Sequence, residues 1–444
     1  MGIGGLTLAD LLQVEAAAGI GSSQKAIINV HLDGGPPQMD LIDPKPDAPS
    51  EYRGTFAPIR TKIPGLHVTE LMPKVASIAD KFVFLRSLVG AAGAHDAFQC
   101  MSGFDARNQS ASGGRPAMGC VLNQMLGSPD DVAPVFVDLM QGRPLVRNSA
   151  RPGFLGPAYK PFRPDISHLF KRVLEDGMKI ELNKLGAGHQ VNLALNDGID
   201  VGRLDDRLSL LQGLDSLRRH VDAEGSMDAM DRFHQQAYGI LTSGKLADAI
   251  DLEKEDPKVL AHYTPEMQAE KLASYTSDGP LAARKLLLAR RLVEAGVRCV
   301  SVSISDFDTH ARNFSRLAQI GPIADHALWA LVTDLENRGL LDDVTVVAWG
   351  EFGRTPKVNS EAGRDHWPRV AMGLMAGGGM NVGQVIGSTD RYAGEATSRP
   401  VHYQDVVATL YHNMGIDARA VTVPDAAGRP QYLVEHGEVI GELV

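Results

Sequence analysis

Short apolar runs that stop at turn-forming residues predict the strands of a buried sheet. The first is Ala26–Leu32, whose sequence AIINVHL leads into the loop residues 33–37, DGGPP. Comparable runs occupy Phe82–Leu88, Val297–Ser305 and Val344–Trp349. Nearly continuous apolar runs are typical of strands covered on both faces, as in a parallel sheet. The pattern therefore predicts an α/β fold with a mostly parallel central sheet sandwiched by helices.

Segments with helical periodicity lie between and after these strands. We predict helices at Glu70–Lys81, from near His95, at Ser315–Arg338 and at Tyr403–Met414. Further short strands are predicted at Val370–Ala376 and Gln384–Ser388. The long helix at 315–338 joins two apolar strands in a βαβ unit, so these strands should be parallel with a right-handed crossover.

The predicted α/β domain spans residues 25–444. Two segments, one inside this domain and one before it, differ from it in sequence pattern. Residues 142–277 are rich in helical patterns and charged residues and poor in β-branched runs, which predicts a helical insertion or cap. Residues 1–24 contain a Gly, Leu and Ala-rich stretch that ends in the small residues AAAG at 16–19. Export signals end in this way before their cleavage site.

The N-terminal stretch lacks the positively charged start of an export signal. It is therefore either the remnant of a longer twin-arginine signal or a plain N-terminal helix. We expect an exported protein, periplasmic or extracellular, with a cytoplasmic location as the alternative. No later segment resembles an integral membrane span.

The composition argues against a nucleic-acid partner and against sites built from cysteines. The net charge of −10 argues against a nucleic-acid partner, because phosphate binding needs clustered Lys and Arg. The three cysteines, Cys100, Cys120 and Cys299, form no CxxC pair. They are too few for a disulfide framework or a thiolate zinc site.

Acidic residues follow three of the predicted strands. Asp33 follows the first strand, Asp306 and Asp308 follow the strand at 297–305, and Glu351 follows the next strand after one glycine. Functional groups of open parallel sheets lie just beyond the carboxyl ends of the strands. If the strands are parallel, these carboxylates share one edge, where they would repel one another without a bound cation.

Two histidines accompany these acids. His310 closely follows the acids of the second strand, and His366 lies in a loop that returns to the same edge. Imidazole nitrogen and carboxylate oxygen together suit zinc or manganese better than calcium. Taken singly, Asp33 could be a turn or helix cap, Glu351 an ion partner of Arg354, and His310 a hydrogen-bonded structural residue. Together they predict a divalent metal site.

The order of these residues resembles the ligand order of the alkaline phosphatase and cofactor-independent phosphoglycerate mutase superfamily. The shared features are Asp-Gly after the first strand, Asp-x-x-x-His at 306–310, an acid at Glu351 and a late histidine at His366. Residues 402–410, HYQDVVATL, are similar to the C-terminal helix of the sulfatases in that superfamily. The resemblance implies an alkaline-phosphatase-like fold.

Over nearly its whole length the chain is identified as a member of the bacterial family of domain-of-unknown-function 1501. The matching phrases are LDGGP at 32–36, DPKP at 43–46, ARRLVEAGV at 289–297, DTH at 308–310 and GEFGRTP at 350–356. Members of the family commonly carry a twin-arginine export signal, which agrees with the expectation of an exported protein.

The metal ligands that the resemblance implies are incomplete. In the phosphatases the strand that ends here at Glu351 carries Asp-His, and both residues bind the second metal. This chain has Phe352 after Glu351, so one ligand of that site is missing. The first site keeps an Asp and both histidines. Superfamily spacing favours Asp306 as that Asp, whereas the closer family's Asp-Thr-His phrase favours Asp308. We therefore expect one metal site rather than two.

The nucleophile is a second departure from the superfamily. Its hydrolases place Ser, Thr or a modified Cys at the start of the helix after the second strand. One alignment puts Gly93 there and another puts His95, so neither offers a hydroxyl or thiol. His95 could be a metal ligand, a nucleophile that forms a phosphohistidine, a general base for water, or a helix-start histidine without a catalytic role. Ser102 and Cys100 lie about two turns further on, too distant to substitute.

Two functions fit this pattern. A metal-dependent hydrolase would act on phosphate or sulfate esters of anionic small molecules or polysaccharides. Metal-activated water or His95 would replace the usual nucleophile, and Arg354 or Arg364 would hold the anion. The alternative is a non-catalytic, metal-stabilised exported protein that binds a partner or glycan through residues 142–277. The retained Asp and His set favours the hydrolase, and the missing nucleophile favours the alternative.

Overall fold

A mixed sheet of eight strands forms the centre of the part of the chain that the computed structural model describes. The described residues are 25–105, 113–128, 131–141, 149–164, 166, 169, 244–265 and 279–444. In chain order the strands are β1 (Ala26–Leu32), β2 (Pro58–Arg60), β3 (His67–Thr69), β4 (Phe82–Val89), β5 (Phe136–Asp138), β6 (Cys299–Ile304), β7 (Val344–Trp349), β8 (Gly353–Arg354), β9 (His366–Trp367), β10 (Ala371–Gly377), β11 (Gln384–Ile386), β12 (Ser388–Thr389), β13 (Ala396–Ser398), β14 (Val401–His402), β15 (Thr422–Pro424) and β16 (Pro430–Tyr432).

Helices cover both faces of this sheet. The α-helices are α1 (Gln38–Leu41), α2 (Ser50–Arg53), α3 (Pro73–Ser77), α4 (Gln99–Ser102), α5 (Met118–Leu126), α6 (Lys245–Ile250), α7 (Pro257–His262), α8 (Arg284–Glu294), α9 (Asn313–Asn337) and α10 (Tyr403–Asn413). Short 3-10 helices occupy Ala79–Lys81, Gly153–Leu155, Pro157–Tyr159, Leu252–Lys254, Pro280–Ala283 and Gly441–Leu443.

The order and direction of the strands place the carboxyl ends of several strands at one edge of the sheet. Across the sheet the order is β11-β4-β10-β7-β1-β6-β5, and β14 joins the end of β4. Strand β1 pairs in parallel with both β6 and β7, whereas β10 is antiparallel to β4 and β7. The carboxyl ends of β4, β7, β1 and β6 therefore lie at one edge. The predicted α/β class with a mostly parallel central sheet is confirmed.

Strand β1 divides its side chains between two apolar layers. Ile28 and Val30 pack in the layer that includes α8 and α9, while Ile27 packs in the layer that includes α5 and α10. Side chains alternate along a strand, so Asn29 and His31 project to the same side as Ile27. This places two polar side chains within a buried strand, at 0% exposure each.

The predicted elements agree with the observed strands to within about two residues at each end. The predicted helix Glu70–Lys81 is wrong in part, because the chain forms the shorter α3 from Pro73 and then a separate 3-10 turn. The helix expected near His95 begins at Gln99. The Gln99 side chain bonds the backbone of Gly90 and Ala92, at 2.8 and 3.1 Å, and so fixes residues 90–95 as a loop.

Two expectations about domain organisation fall largely outside the described residues. Residues 1–24 lie outside them, as does most of the segment 142–277, of which residues 149–164, 166, 169 and 244–265 are described. Among the described helices, we find none with the length and apolarity needed to cross a membrane.

A buried ion pair between Asp40 and Arg364 connects α1, the start of α9 and the loop before β9. Arg364 Nε and Nη2 donate to the two carboxylate oxygens of Asp40 at 2.7 and 3.1 Å. Asn313, at the start of α9, donates to the same carboxylate at 2.8 Å, and Arg364 also donates to the carbonyl of Tyr52. Both ionised groups are at most 1% exposed. The pair therefore fixes the loop that carries His366 against α1 and α9.

We expect Arg364→Met to lower the free energy of unfolding by about 3–5 kcal/mol, because it leaves the Asp40 carboxylate buried without its partner. Chemical denaturation followed by circular dichroism measures this loss. The control is Arg369→Met, which removes an ion pair with Glu395 whose side chains are 62% and 58% exposed. That change should stay within about 0.5 kcal/mol. Equal effects of the two substitutions would contradict the structural role of Arg364.

Candidate metal centre

Seven acidic and histidine side chains gather at the carboxyl edge of the sheet. They come from β1 and its end, the loop after β4, the loop after β6, the end of β7 and β9. They are His31, Asp33, His95, Asp308, His310, Glu351 and His366. Strand β9 reaches this edge because it pairs with β8, with His366 opposite Arg354.

Asp308 lies at the centre of the first group. Its Oδ2 is 3.2 Å from Nε2 of His95, and its Oδ1 is 3.1 Å from Nε2 of His310 and 3.4 Å from Nε2 of His366. The ligand atoms of His95, Asp308 and His366 all lie within 4.8 Å of one another. Arg354 Nη2 donates to Asp308 Oδ1 at 2.6 Å.

The outer nitrogens of two histidines are oriented by acceptors. His366 Nδ1 is 3.2 Å from the carbonyl oxygen of Gly93, and His310 Nδ1 is 2.7 Å from Oδ1 of Asp365. Because a carbonyl or carboxylate oxygen accepts, both Nδ1 atoms carry the proton. In the neutral tautomer each Nε2 then presents a lone pair toward Asp308. Histidine ligands of metals are oriented in this way.

The second group lies deeper and consists of His31, Asp33 and Glu351. Their ligand atoms also lie within 4.8 Å of one another, and all three residues are buried. His95 connects the two groups, since its Nδ1 is 2.9 Å from Glu351 Oε1. The backbone N–H of Gly34 donates to the same Oε1 at 3.0 Å.

The electrostatic environment keeps the central carboxylates ionised. Burial opposes ionisation of Asp308, but hydrogen bonds from His366, His95 and Arg354 hold its pKa well below its usual range. Burial likewise opposes ionisation of Glu351, and its contacts with His95 and His31 lower its pKa overall. Burial lowers the pKa of His31, so its imidazole is neutral near pH 7 although Glu351 opposes this. Ionised carboxylates together with imidazole nitrogens form a donor set that fits zinc or manganese.

Two glycines allow the loop after β1 to lie against this cluster. Gly34 and Gly35 have φ values of +101° and +78°. A Cβ atom on Gly34 would lie 2.4 Å from the backbone nitrogen of Asp308, and one on Gly35 would lie 2.4 Å from the ring of Phe352. The DGG sequence therefore reflects close backbone approach as well as positive φ.

The two acids that the sequence left open have different surroundings. Asp308 contacts the histidines, whereas Asp306 belongs to neither ligand group among the described residues. Asp306 has a φ of +82°, which turns the chain after β6. Arg316, in the first turn of α9, donates to the backbone carbonyls of both residues and holds this turn.

The two arginines expected to hold an anion differ in their surroundings. Both are fully buried. Arg354 contacts the cluster through Asp308, and its guanidinium also bonds the carbonyls of Gly34, Gly35 and Arg364. The guanidinium of Arg364 is bonded instead to Asp40 and to backbone carbonyls.

Sequence reasoning did not find His31 or Asp365. His31 lies inside an apolar strand, where the pattern of the run indicates core packing rather than a ligand. One signal was available, because His31 and Asp33 are two residues apart on a strand and so share a face. Asp365 directly precedes His366, but it bonds His310 instead.

Two residues that carry the usual nucleophile groups, Ser102 and Cys100, follow the loop after β4. The Ser102 hydroxyl donates to the carbonyl of Phe98 at 2.8 Å, and burial raises the pKa of the Cys100 thiol well above its ordinary value. Both residues are in the buried helix α4. At the position preceding that helix, Gly93 offers only its backbone carbonyl to His366, while His95 contacts both carboxylate groups.

Several solved structures are similar to the chain at low identity. Ps i-CgsB, solved in complex with k-i-k-neocarrahexaose, is 10% identical with a TM-score of 0.38 over 88% of this chain and 72% of that chain. The PsFucS1 sulfatase from Pseudoalteromonas sp. is 12% identical with a TM-score of 0.39 over 92% and 70%. The phosphonate monoester hydrolase of Agrobacterium radiobacter is 12% identical with a TM-score of 0.33 over 94% and 76%.

No curated protein matches the chain. A family model described as "Protein of unknown function (DUF1501)" matches residues 24–444, nearly the whole chain. The chain therefore belongs to the DUF1501 family, as its sequence phrases indicated.

Proposed function

We propose that the protein is a metal-dependent hydrolase of phosphate or sulfate esters, with its cation at Asp308, His310 and His366. The observation that carries this proposal is the orientation of the two histidines. The Nδ1 atoms of His310 and His366 face the acceptors Asp365 and Gly93, and their Nε2 atoms lie 3.1 and 3.4 Å from Oδ1 of Asp308. Such an arrangement directs both imidazoles and one carboxylate toward a common point, as the ligands of a metal are directed.

Zinc or manganese bound there would supply Lewis acidity toward the ester oxygen and lower the pKa of water. Among the protein's own side chains, Asp308 is the carboxylate ligand that we propose for this cation. Arg354 neutralises part of its charge from the side and fixes its orientation through a 2.6 Å hydrogen bond. Asp365 fixes the ring of His310 in the same manner.

His95 is suited to hold a proton rather than to attack the ester. Its two ring nitrogens lie 3.2 Å from Asp308 and 2.9 Å from Glu351. Carboxylates on both sides stabilise the protonated imidazole, which favours a general base that takes the proton of an attacking water. A phosphohistidine would need one of these nitrogens to leave its carboxylate.

The burial of both arginines assigns them to supporting roles. Arg354 and Arg364 direct their guanidinium groups to carboxylates and backbone carbonyls inside the protein. We therefore propose that the cation, and not an arginine, meets the anionic charge of the ester. Anionic small molecules or polysaccharide esters are the proposed substrates, and an exported location is the proposed setting.

We expect purified protein to contain zinc or manganese and to hydrolyse at least one member of a panel of aryl phosphates, phosphodiesters and aryl sulfates. His310→Ala, His366→Ala and Asp308→Asn should each lose both bound metal and turnover, because each removes a ligand. Elemental analysis and initial rates measure the two quantities. Exposed His436 provides the control, and His436→Ala should retain both.

Two results would contradict the proposal in different ways. Wild-type protein without stoichiometric metal would reject the metal centre itself. Bound metal that raises the melting temperature, without turnover of any ester, would instead support the non-catalytic metal-stabilised alternative.

We expect Asp365→Ala to weaken metal binding by about 10–100-fold while leaving every proposed ligand in place, because it removes the acceptor that orients His310. Titration calorimetry with Zn²⁺ measures the affinity. Asp365→Asn keeps one acceptor and should lose less. Glu361→Gln, an exposed acid in the same loop, is the matched control. An unchanged affinity in Asp365→Ala would show that His310 is not a ligand.

A further inference from the structure

We propose that His31, Asp33 and Glu351 form a second cation site behind the first, with the imidazole supplied from inside β1. The inference deepens the proposed function and rests on it, since the two sites share His95 as their neighbour. It differs from the expectation of a single site, which came from the missing histidine at Phe352.

The burial of His31 is the first observation in favour of this site. His31 is 0% exposed, and neither of its ring nitrogens makes a hydrogen bond. Buried polar groups are ordinarily satisfied, and each one left without a partner costs about 1–3 kcal/mol. Oε2 of Glu351, 3.4 Å from His31 Nε2, likewise makes no hydrogen bond. Two unsatisfied groups therefore face each other across a gap that a cation would bridge.

The other oxygen of Glu351 is already satisfied. Oε1 accepts from the backbone N–H of Gly34 at 3.0 Å and lies 2.9 Å from His95 Nδ1. These contacts fix the carboxylate so that Oε2 is turned toward His31. The orientation is that of a carboxylate held by its surroundings with one oxygen directed at a metal.

Charge balance also favours a cation at this position. Asp33 and Glu351 are 7% and 1% exposed, so two carboxylates are held out of water within 4.8 Å of each other and of His31. Taking ionised carboxylates out of water costs several kcal/mol for each ion. A divalent cation would compensate both charges, and one nitrogen with two carboxylate oxygens suits zinc or manganese.

Phe352 explains why the imidazole comes from β1. Its ring packs against His366 and His95 with centroid distances of 4.1 and 5.3 Å, so this position forms an apolar wall of the first group. His31 is paired with Trp349, the last residue of β7, and Glu351 follows that strand by two residues, as Asp33 follows His31 at the end of β1. The strand itself thus supplies the nitrogen that residue 352 lacks.

Manganese loading tests the second site. Wild-type protein titrated with Mn²⁺ should bind about two ions per chain, and His31→Leu should bind about one. In the wild type, adjacent Mn²⁺ ions should couple magnetically and weaken the six-line mononuclear signal in electron paramagnetic resonance. His31→Leu should restore that signal. His31→Gln, which keeps a polar side chain of similar length, repeats the test if the Leu variant does not fold.

The matched control is His326→Leu, which removes another buried histidine, in α9, outside both ligand groups. It should bind as many ions as the wild type. One Mn²⁺ per chain in the wild type, with an uncoupled signal and no change in His31→Leu, would overturn the second site and leave the proposed function intact. No bound Mn²⁺ or Zn²⁺ at all would instead reject the proposed function together with the inference.

Discussion

The parallel pairing of β1 with both β6 and β7 is the constraint on which the site depends. Residues that follow these three strands must emerge at one edge, because their carboxyl ends are in register there. The chain places an acid at each of those ends: Asp33, Asp308 and Glu351. Three carboxylates so close together would repel one another, so the fold imposes a need for positive charge on whatever else occupies this edge.

The protein meets that need with imidazoles and one arginine. His95, His310 and His366 surround Asp308, and Arg354 contacts it from the buried side. Arginine stays charged throughout the physiological range, whereas a neutral imidazole presents a nitrogen lone pair that a cation can accept. The arginine and the histidines therefore have different roles at this edge. The arginine stabilises the ionised carboxylate permanently, and the histidines supply the nitrogens of the cation site that we propose.

If the second site binds a cation as we propose, this edge has moved a ligand from one strand to its neighbour. The aromatic ring of Phe352 occupies a position beside His95 and His366 and cannot bind a metal. His31 lies on the neighbouring strand, buried, with its ring directed at Glu351. Since adjacent parallel strands are about 4.8 Å apart, a side chain from either one can reach the same point in space.

The sequence by itself determined the strands, the class of fold and the family, and it indicated most of the acids and histidines that gather at the sheet edge. These inferences succeed because strand periodicity and the residue after a strand are local properties of the chain. The tertiary structure decided the rest. It chose Asp308 over Asp306 through a turn with positive φ, revealed His31 within an apolar run, and bonded Arg364 to Asp40. Each of these depends on distances between segments far apart in the chain, and a pattern of neighbouring residues carries no information about such distances.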